Sequence, residues 1–425
     1  MLVVLTSHPI QYQVPLWRAM AARGLEFEVW FLTDQGVRHT EDADFGNAFA
    51  WDIDLLSGYR HRFLDLRGSW DLRKFNGIPL ARPIGKSLKE SGATALWTEG
   101  WRFKVQWDAV SAARKLGLTV LLRGETSDKI RERQGLSGMV RRIALRRLFS
   151  KVDHFLAIGQ ASRRFYLRHG VPARKLLEAP YCVDNEFFRR GAEAIRRDGA
   201  ADIRKAWNIP EDVAVVMFCG KFVAKKRPID VVAAARLQRE EMRAAGRRVK
   251  PWHLLFVGSG ELGGVLREAC DVRHDAQGQV GADSGPGDSC DGSFKPPATF
   301  AGFLNQSEIS KAYAVADALV LPSNAWETWG LVVNEATAAG VPTVVSSSCG
   351  CAEDFAAHNP CTRIFREGDV REMAVAIGEV LTLPASPAEV SRHSGAFAPG
   401  LTADSVARVL AAYKHRGACA SAGLE

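Results

Sequence analysis

Two glutamates in the C-terminal half stand at a spacing that suits the binding of a phosphorylated sugar. Residues 319–335 read LVLPSNAWETWGLVVNE, in which an apolar strand leads into a polar loop and then into a helix. Glu327 lies in the loop, and Glu335 lies a little over one turn inside the helix. Ligands of open α/β sheets bind beyond the carboxyl ends of strands, where the first N–H groups of a helix can hold phosphate. The main chain of residues 330–332 is therefore a candidate diphosphate cradle, with a carboxylate on each side of it for sugar hydroxyls.

The surroundings of Glu335 strengthen this interpretation. Taken alone, Glu327 is an exposed loop acid and Glu335 is a solvated helix acid. However, Val332, Val333 and Ala336 make the helix apolar enough to be largely buried. A buried carboxylate without a partner costs several kcal/mol. A pair of ligand hydroxyls or a cation would relieve that cost.

A second candidate cluster lies in residues 213–228, which read VAVVMFCGKFVAKKRP. A strand runs into Gly220, where glycine permits a sharp turn, and Lys221, Lys225 and Lys226 follow. Lysines beyond a strand end can neutralise a departing diphosphate without a metal ion. A solvated basic loop with no ligand is the alternative.

The rest of the chain must position these loops, and its pattern is that of α/β domains. Short runs rich in valine and leucine alternate with helix-length segments, which indicates βαβ units and parallel sheets. Strands are predicted at residues 2–6, 27–32, 95–97, 119–122, 154–158, 176–179, 213–218, 254–257, 299–300, 318–321 and 343–346. Two sheets in two domains is the economical interpretation, and 425 residues suit two or three domains.

Three segments depart from this rhythm. Residues 184–210 are charged and contain no strand candidate, so they suit a hinge that enters the second domain through a helix. Residues 271–297 are rich in Gly, Asp and Ser and are predicted to be a mobile surface insert. The expected domains are residues 1–195 and 196–395, followed by a helical segment, 396–425, that could pack back on the first domain.

The charge is concentrated in one segment. The chain has 56 basic and 48 acidic side chains, a net charge of +8, and a pI near 9.1. Residues 129–151 alone hold eight basic side chains and one acid, which favours anionic partners such as phosphate, nucleic acid or a membrane surface. The arginines of residues 139–149 scatter around the helical wheel, so this stretch does not read as a clean amphipathic membrane helix. Peripheral membrane association through residues 129–151 and a partly buried helix with long basic side chains both stay open.

Composition and motifs exclude several other classes of protein. With 47% hydrophobic and 24% charged residues, the chain is neither disordered nor a coiled coil. No run approaches the ~20 apolar residues of a spanning helix, and the first residues lack the basic region and cleavage site of a signal peptide. We therefore expect a cytoplasmic protein, on the inner face of the membrane if the basic segment binds lipid. The eight cysteines form no CxxC pair, so neither a disulfide framework nor a metal site is expected.

The residues singled out above resemble a known family. The seven residues between Glu327 and Glu335 resemble the E-x7-E motif of the retaining glycosyltransferases of family 4. Gly220-Lys221, followed by Lys226, is similar to that family's glycine-basic-x4-lysine phosphate loop. The resemblance covers about residues 213–355 and continues through AGFLN at 301–305, LPS at 321–323 and GCAED at 350–354. The N-terminal half resembles the family more loosely, through SHPIQYQ at 7–13.

The resemblance implies a GT-B fold, in which two Rossmann-like domains face each other across a cleft and the C-terminal one binds a nucleotide-sugar donor. By position, Lys221 and Lys226 would neutralise the departing diphosphate, and Glu327 would orient the transferred sugar. These three would form the catalytic set, and Glu335 would hold the ribose hydroxyls. The other donor contacts would come from Gly220, Phe303, Leu304, Thr328, Gly330 and Leu331, with Phe303 and Leu304 beside the nucleobase. The resemblance implies no metal and no other cofactor.

The sequence departs from the family at two places. Lys221 stands where arginine is common, so the charge is kept and the bidentate geometry is lost. After the strand at 119–122 the chain reads Arg123-Gly124-Glu125, where many relatives place a histidine near the reacting sugar. We expect Arg123 and Glu125, with His8 and Gln11 after the first strand, to position the acceptor or the sugar. A structural salt bridge between Glu125 and Arg123, and a purely structural His8, are the alternatives.

These observations predict a retaining hexosyltransferase that acts on a nucleotide diphosphate sugar and a hydroxyl acceptor. The expected acceptor is a lipid-linked or surface-polysaccharide glycan, because the basic segment suits a lipid phosphate. A nucleotide-sugar epimerase or another non-transferase enzyme on the same scaffold is the alternative. A nucleic-acid-binding protein is not favoured, because aromatic residues are not interleaved with the arginines of 129–151.

Overall fold

The computed structural model describes residues 1–37, 40–42, 47–49, 51–130, 134–246, 250–278 and 294–422 of the chain. The chain divides into two compact units. Unit 1 comprises Met1–Thr40, Phe49–Val183 and Phe397–Glu425, and unit 2 comprises Glu41–Ala48 and Asp184–Ala396. No helix within the described ranges is both long and apolar enough to cross a bilayer.

Unit 1 is built on a seven-stranded parallel sheet. Its strands are β1 (Leu2–Thr6), β2 (Phe27–Phe31), β5 (His61–Phe63), β6 (Ala95–Glu99), β7 (Thr119–Arg123), β8 (His154–Ala157) and β9 (Leu176–Glu178). A separate two-stranded sheet pairs β3 (Thr40–Asp42) with β4 (Asn47–Phe49). In the order β5-β2-β1-β6-β7-β8-β9, strands β2 and β5 lie on one side of β1 and strands β6 to β9 lie on the other. This is the Rossmann order, whose direction reverses between β1 and β6.

Helices cover both faces of that sheet. They are α1 (Val14–Ala22), α2 (Ile84–Glu90), α3 (Lys104–Lys115), α4 (Gly135–Phe149), α5 (Gln160–Arg168) and α15 (Pro399–Ala422), with a short 3₁₀ turn at Ala173–Lys175. All five residues of β1 are buried, and successive side chains point to opposite faces. Val3 and Leu5 therefore join one apolar core, and Leu2 and Val4 join the other.

Unit 2 repeats this architecture. Its strands are β10 (Val215–Cys219), β11 (His253–Val257), β12 (Asp271–Asp275), β13 (Pro297–Gly302), β14 (Ala318–Leu321), β15 (Thr343–Ser346) and β16 (Thr362–Phe365). They are parallel, in the order β12-β13-β11-β10-β14-β15-β16. The direction of winding reverses between β10 and β14, where an open α/β sheet offers its binding crevice.

The helices of unit 2 separate these strands along the chain. They are α6 (Asn185–Asp198), α7 (Ala200–Ala206), α8 (Pro228–Ala244), α9 (Gly263–Ala269), α10 (Gln306–Val315), α11 (Leu331–Ala338), α12 (Ala352–His358), α13 (Val370–Leu381) and α14 (Pro387–Arg392), with 3₁₀ turns at Ala224–Lys226 and His393–Phe397. Three phenylalanines, Phe218, Phe256 and Phe300, form the centre of the core from the adjacent strands β10, β11 and β13.

The structure contains a strand at each of the predicted positions, and it adds strands that the pattern did not indicate. Residues 271–275, taken as the start of a surface insert, form β12 instead, because the carboxyl side chain of Asp275 is buried against Arg267 and the main chain pairs with β13. The rest of that expected insert lies largely outside the described residues, at 279–293. The strands β5 and β16 were also missed, because both are short edge strands that contain polar side chains.

The boundary between the units falls earlier than residue 195. Unit 2 begins at Asp184, because α6 packs against α10 and α11. A boundary at residue 195 would cut α6 near its end. The C-terminal helix α15 belongs to unit 1, where it packs on α1 and β9 and where Asp404 forms an ion pair with Arg23.

Glycines tie together the loops that follow the central strands of unit 2. The N–H of Gly220 donates to the Val257 carbonyl (2.9 Å), and the N–H of Gly258 donates to the Gly302 carbonyl (2.7 Å). Gly258 has a φ of +128°, and a Cβ there would lie 2.1 Å from the Gly220 carbonyl oxygen. The position of the loop after β10 therefore depends on the absence of a side chain at Gly258.

We expect Gly258→Ala to lower the free energy of unfolding by about 2–4 kcal/mol, because both the backbone conformation and the contact become strained. Urea unfolding of the full chain measures this. Gly264→Ala in α9 is the matched control, since a Cβ there meets nothing within 4 Å, and its effect should stay within about 1 kcal/mol. Equal stability of the two variants would contradict the role assigned to Gly258.

Candidate functional site

The two loops singled out in the sequence meet in unit 2. The loop after β10 contains Gly220 and the turn Ala224–Lys226, and the loop after β14 contains Glu327. Because β10 and β14 are neighbours in the sheet, their carboxyl ends lie side by side. The N–H of Asn324 donates to the Lys225 carbonyl (2.9 Å), which joins the loops through the main chain. The site therefore lies where the winding of the sheet reverses.

Lys226 and Glu327 form an ion pair between these loops. The ammonium donates to Oε2 of Glu327, and each side chain is only 16% exposed. Burial works to lower the pKa of Lys226, but the carboxylate of Glu327 outweighs it and holds that pKa above its usual value. Lys226 is thus a permanent cation in a largely enclosed position, beside Gly220.

Glu335 lies on α11 and is held by a tyrosine. The hydroxyl of Tyr313, on α10, donates to Oε2 of Glu335 at 2.6 Å. Burial raises the pKa of Glu335 to about 7, and the hydrogen bond from Tyr313 opposes that rise. Burial, together with the nearby Glu335, also raises the pKa of the Cys219 thiol at the end of β10 to about 12. Glu335 therefore sits in a cluster of neutral polar groups next to the Lys226 loop.

Gly330 directly precedes the first residue of α11 and has a backbone conformation that only glycine adopts readily. Gly330 has a φ of +110°, and a Cβ there would lie 2.5 Å from the side chain of Leu321. No side chain caps the helix, so its first N–H groups, at Leu331 and the residue after it, lack intrahelical partners. This geometry suits an anion held by the main chain.

A third loop fixes the position of Glu327. The N–H of Gly350 donates to the Glu327 carbonyl at 3.0 Å, and the N–H of Cys351 donates to the Trp329 carbonyl at 3.1 Å. A Cβ on Gly350 would lie 1.8 Å from the carbonyl oxygen of Thr328. The segment GCAED, noticed only as part of a resemblance, is therefore what holds the glutamate loop in place.

The remaining predicted donor residues lie on the same edge of the sheet. Lys221 follows Gly220 directly, and Thr328 lies between Glu327 and the start of α11. Phe303 and Leu304 follow β13, which is separated from β10 by β11 alone. Both are half-buried. The structure thus brings Gly220, Lys226, Glu327 and Gly330 into contact range and places Phe303 and Leu304 two strands away.

In unit 1, Glu125 accepts two hydrogen bonds from tyrosines. The hydroxyls of Tyr12 and Tyr181 donate to the same oxygen, Oε1, at 2.7 and 2.6 Å. Arg123 is buried, its guanidinium lies 4.4 Å from the centre of the Tyr181 ring, and its carboxylate partner is Glu99 at 3.9 Å. The salt bridge considered between Arg123 and Glu125 is therefore not the one observed, because Arg123 pairs with Glu99 and Glu125 binds the two tyrosines.

Glu99 was not singled out in the sequence, although it ends β6 beside the point where the winding of the unit 1 sheet reverses. Burial raises its pKa to about 7, against the opposing effect of Arg123. Its Oε1 and the Nε of Arg123 are buried without hydrogen-bond partners. Tyr313 in unit 2 was missed as well, because a tyrosine among alanines on a helix reads as ordinary core.

His8 and Gln11 lie after β1, at that same edge of the unit 1 sheet. The Nδ1 of His8 is 2.9 Å from the Ser7 hydroxyl, and burial lowers the pKa of His8 to about 4. The ring is therefore neutral at physiological pH. The side-chain oxygen of Gln11 is buried without a hydrogen-bond partner.

The comparisons with known proteins match the half of the site that contains both glutamates. Residues 295–394 match the family described as glycosyl transferases group 1. These residues are similar to a glycosyltransferase group 1 domain. That match includes Glu327, Gly330 and Glu335, whereas Gly220 and Lys226 precede it.

Curated relatives match this chain over part of their length. A GDP-mannose-dependent alpha-(1-6)-phosphatidylinositol monomannoside mannosyltransferase of Mycobacterium tuberculosis is 27% identical over 57% of this chain and 56% of its own. A D-inositol 3-phosphate glycosyltransferase of Catenulispora acidiphila is 33% identical over 40% of this chain and 34% of its own. The chain spans between 32% and 56% of the length of these relatives and of an uncharacterised glycosyltransferase of Methanocaldococcus jannaschii.

Solved structures are similar over almost the whole chain and show the fold. A glycosyltransferase from Rickettsia africae has a TM-score of 0.65 at 10% identity and covers 97% of this chain and 98% of its own. HepE of Anabaena, solved in complex with UDP, has a TM-score of 0.63 at 14% identity and covers 97% of this chain and 99% of its own. The fold of two Rossmann-like units with parallel sheets is GT-B.

The raised pKa of Glu335 makes stability depend on pH. Its pKa is about 7 in the folded protein against 4.5 in an unperturbed chain, so the folded state binds more protons between those values and loses stability as the pH rises through them. Glu335→Gln abolishes this loss. We therefore expect the variant to gain on the order of 2 kcal/mol relative to the parent between pH 5 and pH 8, measured by urea unfolding without ligand.

Tyr313→Phe provides the second variant for this measurement. It removes the hydrogen bond that opposes the rise, so the pKa of Glu335 should rise further and the pH-dependent loss should extend to higher pH. A difference between Glu335→Gln and the parent that stays constant from pH 5 to pH 8 would contradict the burial of this carboxyl group.

Proposed function

We propose that the protein is a retaining glycosyltransferase that moves a hexose from a nucleotide diphosphate sugar to a hydroxyl acceptor. The observation that carries the proposal is the Lys226–Glu327 ion pair, formed between the two loops at the reversal point of the unit 2 sheet. A cation and the free N–H groups of a helix there suit a diphosphate, and the flanking carboxylates suit hydroxyl groups. The group 1 match and the GT-B fold support the same reaction class.

In the proposed reaction the bond between the anomeric carbon and the diphosphate oxygen breaks. The electron pair stays on the departing nucleoside diphosphate, and the acceptor oxygen forms the new bond on the same face of the sugar while its proton passes to the leaving phosphate. Lys226 and Lys221 neutralise the charge that develops on the diphosphate, so we propose that no metal ion is needed. The main chain of Gly220 and residues 330–331 holds the phosphates.

The carboxylates have separate tasks in this proposal. Glu327 binds a hydroxyl of the transferred sugar and orients it, while its charge keeps Lys226 in position before the donor arrives. Glu335 accepts hydrogen bonds from the two ribose hydroxyls. Its buried carboxylate, which accepts one hydrogen bond from Tyr313, would then accept three. Phe303 and Leu304 contact the nucleobase, and Thr328 contributes to the donor site.

We assign the acceptor to unit 1. His8 and Gln11 follow β1, Arg123 is the last residue of β7, and Glu125 follows that strand. All four therefore lie at the carboxyl edge of the sheet, where an α/β domain binds ligands. We propose a lipid-linked or surface-polysaccharide glycan as acceptor, with the enzyme in the cytoplasm on the inner face of the membrane. The basic segment 129–151 supports this assignment, although Arg131 and Arg133 lie outside the described residues.

The Lys226→Ala and Glu327→Gln variants should lower kcat by about 10²-fold or more, because each removes a charge that acts at the reacting phosphate or sugar. Glu327→Gln should change the affinity for a bare nucleoside diphosphate much less than turnover. Glu335→Ala should instead weaken binding of UDP or GDP. Transfer from UDP-glucose and GDP-mannose measures turnover, and a thermal shift with each nucleotide measures binding, since ligand at 100 times its Kd adds about 2.7 kcal/mol.

The exposed ion pair Glu308–Lys311 on α10 supplies matched controls. Glu308→Gln and Lys311→Ala change the same residue types in the same unit and should leave turnover and binding intact. Turnover should also persist in EDTA. Unchanged turnover in both Lys226→Ala and Glu327→Gln would refute the site, and conversion of the donor without any acceptor would favour an epimerase.

A further inference from the structure

The helix α4 presents an apolar stripe to solvent. Leu136, Met139, Val140 and Ile143 are 78%, 54%, 63% and 46% exposed. Their spacing of i, i+3, i+4 and i+7 places them on one side of a helix. Other exposed large apolar side chains in the described part of the chain are dispersed over separate elements. A contiguous group of four solvent-exposed apolar side chains indicates a surface that binds a partner.

The opposite side of α4 is anchored in unit 1. Leu145, Leu148 and Phe149 are buried in the core that also contains β1 and β7 residues. At about 100° per residue, this anchored face and the exposed stripe lie on opposite sides of the helix. Because apolar residues lie on two opposite sides of the helical wheel, the sequence lacks the single apolar face that marks an amphipathic helix. The sequence alone therefore did not indicate one. The packed structure separates the two faces.

The charges on α4 are all of one sign. The helix contains Arg141, Arg142, Arg146 and Arg147, all exposed, and no acidic residue. On the same wheel, Arg142 and Arg146 border one side of the stripe, and Arg147 continues it at the C-terminal end. Long arginine side chains reach phosphate groups while their stems cover apolar surface. An apolar stripe bordered by cations is the pattern of a helix that lies in the interface of an anionic membrane.

We propose that α4 is a membrane-docking helix, which inserts Leu136, Met139, Val140 and Ile143 among acyl chains while its arginines bind lipid phosphates. A second copy of this helix would repel the first, because both have only positive charges. A fluid anionic membrane surface attracts those charges and adapts to the shape of the helix. The proposal rests on the proposed function in one respect: it names the membrane as the partner of the proposed glycosyltransferase. Lipid binding itself is measured without sugar transfer.

Co-sedimentation of the full chain with vesicles tests the proposal. We expect binding to vesicles rich in phosphatidylglycerol and weak binding to pure phosphatidylcholine. Combining Leu136→Ser, Met139→Ser, Val140→Ser and Ile143→Ser should weaken binding to the anionic vesicles at least about tenfold, at low and at high salt. Arg142→Gln with Arg146→Gln should weaken it mainly at low salt, because salt screens only the charge contribution.

Exposed apolar residues on other helices provide the matched control. Combining Val265→Ser, Val375→Ser and Leu401→Ser replaces exposed apolar side chains on three other helices and should leave vesicle binding unchanged. All of these positions are exposed, and an unchanged urea midpoint verifies that each variant folds. Transfer to a water-soluble acceptor should stay intact in the stripe variant, so that a failure of membrane docking is separable from a failure of the enzyme.

Two results would overturn the proposal. The first is undiminished binding of the stripe variant to anionic vesicles. The second is a protein that does not bind vesicles but forms a dimer in light scattering, with the dimer lost in the stripe variant, which would assign the stripe to a second copy of the chain.

Discussion

The Lys226–Glu327 ion pair joins the two loops on which the site depends. One loop follows β10, the first strand along the chain in the seven-stranded sheet of unit 2, and the other follows β14, which the chain reaches about 100 residues later. A charge as enclosed as that of Lys226 is stable only with a partner, because desolvation of an unpaired ion costs several kcal/mol. In the absence of a ligand, Glu327 is that partner. A diphosphate would offer the same lysine a second negative charge.

The surrounding structure holds this pair with the main chain rather than with other side chains. Gly258 and Gly302 fix the loop that contains Gly220, and Gly350 fixes the loop that contains Glu327. Backbone hydrogen bonds of this kind leave little freedom at either end of the pair. The site is therefore organised before a substrate arrives, which reduces the cost of ordering it on binding. Glu335, by contrast, has a pKa that burial raises to about 7, and new hydrogen-bond donors would favour its charged form.

The sequence predicted those parts of the fold that are determined locally. Strands such as β1, β10 and β14 consist of apolar residues and were found at the predicted positions, because burial on both faces leaves a continuous apolar run. The strands β5, β12 and β16 were missed, since edge strands are stabilised by pairing with a neighbour and contain charged residues such as Asp271 and Arg363. Glu327 and Lys226 were singled out from spacing and charge. That they touch is a property of the sheet order, which no local pattern contains.

Contacts between distant elements account for what the sequence did not indicate. Tyr313 holds Glu335 across two helices, and Glu99 pairs with Arg123 across two strands. The second apolar face of α4 became visible only after the first was assigned to the core. In each case the residue types were unremarkable, and their meaning came from the neighbours that the fold supplied.

In the proposed enzyme, Lys226 and the first turn of α11 bind the diphosphate of the donor. A crystal structure of the protein soaked with saturating UDP, and in turn with GDP, provides the test. We expect phosphate oxygens within hydrogen-bond distance of Lys226 Nζ and of the N–H groups at Gly330 and Leu331, with the ribose hydroxyls on Glu335. A nucleotide bound elsewhere, or this edge of the sheet left without one at saturation, would contradict it.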